Sequence, residues 1–327
     1  MKYRQLQLRR NHSSSVPNSI DIYDPIYGQY LPELPLFINT EEQQRYFALN
    51  LQDQIFLNDQ WSVLFGARFD HVTQDFQNKL AGTSNKKDLQ QTSPRLGLNY
   101  RLNDRWSWYA NYGESFALNS GMDRNGDVFN PEKGKSYEIG GKYRITPQSL
   151  VSLALFKMDK ENVLTTDPAD SNYQITAGAV SSKGLELDLE TQLNDQFSIR
   201  ANYSYTDAQV EKDQSLAKGS RLSNVPKHSG SISSNYEWNL ANADKVGLGA
   251  TAIYVGKRSG HSADNGFNLP EYTLLNLNAY YAPTDQLRYQ FNVHNLLDET
   301  YYVASYSDMW IQPGDPLNAS ISVQWKF

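Results

Sequence analysis

The stretch LNDQWS at residues 57–62 decides how this chain is read, because it returns as LNDRWS at 102–107 and as LNDQFS at 193–198. The copies begin 45 and then 91 residues apart, so the second interval is close to twice the first. Each copy joins turn-forming Asn and Asp to a large aromatic residue. After the third copy, Phe197, Ile199, Ala201, Tyr203 and Tyr205 fall on one phase and Ser198, Arg200, Asn202, Ser204 and Thr206 on the other. Strict period-two alternation marks a strand with one apolar and one wet face. GLELDLETQL (184–193) sets Leu185, Leu187 and Leu189 against Glu186, Asp188 and Glu190. QLRYQFNVHN (286–295) sets Tyr289, Phe291 and Val293 against Gln290, Asn292 and His294.

About fourteen such segments run along the chain: 2–9, 43–57, 61–74, 92–102, 105–117, 135–145, 149–165, 173–193, 196–209, 226–239, 244–257, 271–282, 286–297 and 316–327. Six connections are short and hold Asn58 and Asp59, Asn103 and Asp104, Thr146 and Pro147, Asn194 and Asp195, Ala241 and Asn242, or Thr284 and Asp285. The others are mostly longer and polar, among them 10–42, 75–91, 118–134, 210–225, 258–270 and 298–315. Short and long alternate without a skip. That asymmetry predicts an all-β, antiparallel transmembrane β-barrel of the Gram-negative outer membrane, with tight periplasmic turns and long outer loops. In each LND turn, Asn and Asp are expected to supply unusual backbone angles. The aromatics that follow, Trp61, Trp106, Trp108 and Phe197, are expected to form a girdle at the inner interface, where amphipathic rings are favoured. The final strand, PLNASISVQWKF, alternates and ends on Phe327, which joins that girdle. A terminal aromatic resembles the signal read by the barrel assembly machinery, so the natural C-terminus is expected to be present.

Bulk properties agree. A net charge of −6 and a pI near 5.4 leave no basic stripe for phosphates, which excludes a nucleic-acid binder. No cysteine is present, so no disulfide framework or thiolate metal site exists. Mean hydropathy is low at −0.64 although Tyr (22), Phe (13) and Trp (6) abound, as expected where only alternate residues meet lipid. The longest apolar run, LVSLALF at 150–156, falls far short of the ~20 residues a membrane helix needs. The N-terminus is basic but lacks the apolar middle of a secretory signal. The histidines (His12, His71, His228, His261, His294) show no metal-ligand spacing. DRNGD (123–127) has oxygen ligands around a glycine but lacks the distant glutamate of a calcium loop, and reads as a turn. With no phosphate loop, serine elbow or credible triad, an enzyme is not expected.

From residue 20 onward the chain resembles the barrel of TonB-dependent siderophore receptors, on the ferrichrome-receptor-like branch. The resemblance rests on ordered pieces across most of the chain. They are IDIYDPIYG (20–28), ALNLQDQIFLNDQWSVLFGARFD (48–70), SPRLGLNY (93–100) and NPEKGKSYEIGGKY (130–143). SSKGLELDLE (181–190), VPKHSGSIS (225–233), NVHNLLDETYYVASYSDMW (292–310) and PGDPLNASISVQWKF (313–327) complete them. It implies a receptor and porter for ferric siderophores, driven by the TonB complex, with iron carried inside the ligand and no resident cofactor. Outer loops of such receptors bind the chelate with aromatic and polar side chains. Here Tyr23, Tyr27, Tyr30, Tyr173, Tyr301, Tyr302, Tyr306 and Trp310 are available, with Trp310 in SYSDMWIQPGDP foremost. Tyr and Trp suit this task because each pairs a flat apolar face with a polar tip.

The departures set the expectations for the whole molecule. The family barrel has about 22 strands around an N-terminal plug. Leu317 stands where the family often places arginine after Gly-x-Pro. Residues 1–327 are therefore expected to form the C-terminal part of a barrel, lacking roughly eight strands and the plug that reaches TonB. Such a sheet has two open edges, which lipid cannot satisfy. Closure would need KYRQLQLR at the start to pair with the last strand, giving a self-contained fourteen-stranded passive pore lined by Glu186, Asp188, Glu190, Arg200 and Asn202.

Overall fold

β-Branched and aromatic residues on one phase, with Ser, Asn, Gln and charge on the other, build long antiparallel strands throughout the computed structural model. It describes residues 2–13, 23, 36–240, 244–261 and 264–327. The first nine strands are β1 (Lys2–Ser13), β2 (Leu36–Phe56), β3 (Trp61–Asn78), β4 (Thr83–Arg101), β5 (Trp106–Ala117), β6 (Glu132–Thr146), β7 (Ser149–Asp167), β8 (Asp170–Gln192) and β9 (Phe197–Lys212). Next come β10 (His228–Asn239), β11 (Lys245–Val255), the short β12 (Arg258–Ser259) and β13 (Asn268–Leu269), then β14 (Tyr272–Ala282) and β15 (Leu287–His294). A small hairpin of β16 (Tyr302–Ser307) and β17 (Trp310–Pro313) precedes the last strand, β18 (Asn318–Trp325). Fourteen of them form one antiparallel sheet in the order β1-β2-β3-β4-β5-β6-β7-β8-β9-β10-β11-β14-β15-β18.

Register turns the alternation into two surfaces. One cross-strand row reads Ile55, Val63, Leu98, Ala110, Ile139, Leu155, Leu185 and Tyr205 from β2 to β9. A second reads Phe197, Tyr236, Leu248, Ala279, Phe291 and Ile321 from β9 to β18. On the opposite face a row reads Glu190, Arg200, Ser233, Thr251 and Asn276, with Arg200 ion-paired to Glu190 at 2.9 Å. The apolar rows are exposed rather than packed: Leu187, Phe291 and Val323 stand 40%, 45% and 60% exposed. The chain's accessible surface is 21389 Å², against about 13,700 Å² for a compact soluble protein of this mass. So large an apolar face has no soluble explanation; it is a lipid-facing wall. Two residues along from the Ile139–Leu155–Leu185 row the same face turns charged, through Tyr137, Lys157, Lys183 and Asp207. That step marks the end of the apolar band.

Two expectations need correction. The segment 75–91 is not a loop: β3 and β4 pair without interruption from Trp61↔Tyr100 to Asn78↔Thr83, leaving only 79–82 as the turn. Its polar residues sit on rungs that rise past the apolar band, where the inner face, with Gln74 and Phe76 buried, meets the connection 118–131. The LND turns do not use unusual backbone angles either, for none of Asn58, Asp59, Asn103, Asp104, Asn194 or Asp195 has positive φ. Instead the Asn side chain caps the turn. Asn58 Oδ1 accepts N–H bonds from Gln60 and Trp61, Asn103 Oδ1 from Arg105 and Trp106, and Asn194 Oδ1 from Gln196 and Phe197, all at 2.8–3.0 Å. The first and last strands do not meet, which agrees with a barrel part that has open edges and not with the self-closed alternative. Among the described residues β1 pairs only with β2, and β18 only with β15. The expected turn at Ala241 and Asn242 lies outside the described residues.

Candidate functional site

The rim opposite the short turns carries the elaborate loops, and four of them fold into two ordered blocks. The first is the connection 118–131 between β5 and β6, which turns inward against the wet face of β2, β3 and β4. Glu42, 2% exposed, accepts hydrogen bonds from Gln44 Nε2, Gln74 Nε2 and the Ser120 hydroxyl. Gln74 also donates to the Asn119 carbonyl at 2.8 Å. Lys87 Nζ donates to the Val128 carbonyl and to Asn130 Oδ1, both at 2.9 Å, and Asn85 donates to the Gly126 carbonyl. Val128 and Phe129 are buried beneath the loop, and Arg124 reaches Asp167 at 3.4 Å. Within it DRNGD is a turn, since Asp123 Oδ1 accepts the N–H groups of Asn125 and Asp127. A polar cleft of about 420 Å³ opens beside it, lined by Lys86, Lys87, Asp123, Asp127 and Thr176 among others.

The second block joins the connections 213–227, 256–271 and 295–317. Asn295, almost fully buried and at φ 52°, ties the base of the last connection by donating to the Glu299 and Asp315 carbonyls and accepting the Glu299 N–H. Asn224, at φ 64°, accepts the Ser305 N–H at 2.9 Å and donates to the Ser305 carbonyl at 2.8 Å, replacing a sheet neighbour for β16. The Ser305 hydroxyl donates to the Gly260 carbonyl. Arg258, 1% exposed, donates from Nη2 to the carbonyls of Tyr302 and Val303 and stands over the Tyr272 ring at 5.4 Å. Burial lowers the pKa of its guanidinium from the ordinary value. Burial would raise the carboxyl of Asp213, at the start of the first connection. Backbone N–H groups of Ser215 and Leu216 outweigh it and leave the pKa lowered.

The expected ligand residues divide around this block. Tyr306 and Trp310, 78% and 73% exposed, share a cleft of about 550 Å³ with Met309, Ile311 and Gln312 at the tip of the β16–β17 hairpin. Tyr302 lies at the hairpin base opposite Pro313, and Tyr301 packs on Tyr272 with ring centroids 4.7 Å apart. Tyr173 stands on β8, in a different hairpin. Tyr23 is highly exposed, while Tyr27 and Tyr30 lie outside the described residues. At the short-turn rim Trp61 stacks on Tyr100, Trp106 on Trp108 and Tyr143, and Phe197 against Tyr236; Phe327 is fully exposed beside Trp325. Sequence reasoning passed over Arg258, Asn224 and Asn295. Asn tolerates positive φ and so hints at a fixed bend, but Asn224 meets Ser305 across 81 residues, which no local pattern reveals.

Comparison with known proteins follows this geometry. The chain is 40% identical over 321 residues to the "Metal-pseudopaline receptor CntO" of Pseudomonas aeruginosa, covering 96% of this chain and 45% of that protein. It is 31% identical over 276 residues to the "Ferrichrome outer membrane transporter/phage receptor" of Escherichia coli K12, covering 80% of this chain and 36% of the other. In fold it is similar to the ferric-catecholate import receptor Fiu of E. coli, with a TM-score of 0.79 at 21% identity, covering 99% of this chain and 51% of Fiu. The chain thus spans about half the length of the receptors it matches. Residues 2–296 match the family described as "TonB dependent receptor-like, beta-barrel", and the chain belongs to that family of Gram-negative outer-membrane barrels.

Proposed function

We propose that the 327 residues form the C-terminal wall and outer binding loops of an outer-membrane receptor that imports metal chelates. Ferric siderophores and other metal–metallophore complexes are the substrate class, with the metal bound inside the ligand and no resident cofactor. The remaining strands, and a plug through which the TonB complex acts, belong to sequence outside this chain. The single observation that carries the reading is the open fourteen-stranded sheet, which overlays about half of a full receptor. On this reading Trp310 and Tyr306 offer stacking surface to the chelate, Tyr301, Tyr302 and Tyr173 support or extend it, and Tyr27 contributes from the first outer loop. Trp61, Trp106, Trp108 and Phe197 form the inner girdle, and Phe327 is read by the barrel assembly machinery. The passive-pore alternative needs β1 against β18, and those strands are not paired among the described residues.

The test joins the chain to the plug and first strands of the Salmonella ferrioxamine B receptor, to which it is 29% identical. Uptake of iron(III)–ferrioxamine B, iron(III)–ferrichrome and a metal–pseudopaline complex is then measured with and without TonB. TonB-dependent uptake of at least one chelate by the hybrid, and none by the chain alone, is expected. Trp310→Ala should weaken binding of that chelate about tenfold, or about 1.4 kcal/mol. Robust uptake by the chain alone would refute the reading.

A further inference from the structure

We propose that Arg258 and Asn224 are positioning residues: they hold the β16–β17 hairpin as a preformed aromatic ledge, so that the chelate meets Trp310 and Tyr306 already in place. The inference rests on the proposed role of that hairpin. Among the described residues Arg258 is the largest of the fully buried side chains. Among the described residues no carboxylate pairs with it, and its Nη1 has no hydrogen-bond partner. A buried guanidinium answered only by carbonyls and one ring is an expensive choice, and an apolar side chain of similar volume often stabilises such a site equally well or better. What an apolar side chain cannot do is address two particular carbonyls. Those of Tyr302 and Val303 fix where β16 begins, while Ser305, three residues after Tyr302, is gripped at both its N–H and its C=O by Asn224. Two further contacts bind the grips to each other: the Asn224 N–H donates to the Ser259 carbonyl at 2.8 Å, and Ser305 donates to Gly260. All of these bonds to the hairpin fall on β16, from Tyr302 at its base to Ser305, the residue just before the tip. The tip, from Tyr306 to Ile311, is left exposed. A locked base under an open aromatic tip is the arrangement a ligand needs if it is not to order the loop at its own expense.

The absence of cysteine allows a clean test. Spin labels are placed at Met309→Cys and Thr273→Cys in the full chain, in lipid vesicles and again joined to the ferrioxamine B receptor half. The parent should give a narrow distance distribution between hairpin tip and wall. Arg258→Met, which keeps volume, and Asn224→Gly, which keeps the positive φ, should each broaden it while the thermal midpoint of the barrel stays within a degree or two. If the ledge is then correctly placed a tenth of the time, affinity for the bound chelate falls about tenfold. Trp310→Ala should lose affinity with the distribution still narrow. A distribution that stays narrow in both base variants, or that broadens only as the whole barrel melts earlier, overturns the proposal. Broadening in the base variants with Trp310→Ala binding normally would uphold the positioning role and instead remove Trp310 from the ligand site.

Discussion

At Asn58, Asn103 and Asn194 a single carboxamide oxygen does the same work three times, collecting two backbone N–H groups that a tight turn would otherwise leave to water. The turn also closes through the backbone, as Leu57, Leu102 and Leu193 donate to the carbonyls of Trp61, Trp106 and Phe197 at 2.8–3.0 Å. Because the aromatic supplies both an N–H and a C=O to the turn, its ring position is set by the cap. This is why the motif keeps Asn and the aromatic at constant spacing. Aspartate can accept the same bonds, whereas alanine cannot. Replacing Asn58 by Ala should therefore cost about 1–2 kcal/mol, the net worth of two such bonds, and Asn58→Asp should cost much less. Urea midpoints of the vesicle-embedded protein would separate these outcomes. Equal losses in the two variants would mean the cap is unimportant.

At the scale of elements, strands were legible because each carries its own period, and the short turns were legible because each carries its own punctuation. The segment 75–91 was misread because its strand leaves the apolar band: the outward phase turns polar through the pairs Thr73–Asp88, Asp75–Lys86 and Gln77–Ser84, while the inward phase holds Gln74 and Lys87 against the connection 118–131, so the alternation ends although the backbone ladder continues. Tyr306 and Trp310 were expected as ligand residues from the family resemblance, and both stand exposed at the hairpin tip. The supports of that tip were not legible, since Arg258 and Asn224 act on residues 44 and 81 positions away. Side-chain fit between strands was equally hidden. Gly140 and Gly141 of β6 lie opposite Tyr109 and Trp108 of β5, one ring on each face of the sheet. A Cβ on Gly141 would stand 2.7 Å from the Trp108 ring, and one on Gly140 2.5 Å from that of Tyr109. The glycines make room for the rings to lie flat across the neighbouring strand. Gly141→Ala should displace Trp108 and destabilise the wall by about 1–3 kcal/mol, the usual range for overpacking. Trp108→Leu in the same background should recover part of that loss. Unfolding midpoints and tryptophan emission give the answer, and an unshifted midpoint in Gly141→Ala would show that the ring has room to move.

For the molecule as a whole the deciding quantity is the cost of an open sheet. β18 has eight residues, all exposed, and alternate residues turn N–H and C=O toward its unpaired side. In hydrocarbon, where no water relieves it, each unmet group costs about 2 kcal/mol or more, so that edge alone costs about as much as the entire ~5–15 kcal/mol stability of an ordinary domain. An isolated chain in lipid must therefore find edge partners, and on the proposed function these are further strands of a larger barrel. Cysteines at Gln7 in β1 and Ala319 in β18 report on this directly in a chain with none of its own. Oxidation of the vesicle-bound double variant should give no disulfide within one chain. A second chain supplying the edge would instead give a covalent dimer whose yield falls on dilution with unlabelled protein. A high yield of the disulfide within single chains would mean that β1 and β18 do meet, that fourteen strands suffice to close, and that the wet face of Glu190, Arg200 and Thr251 lines a pore without need of any further strand.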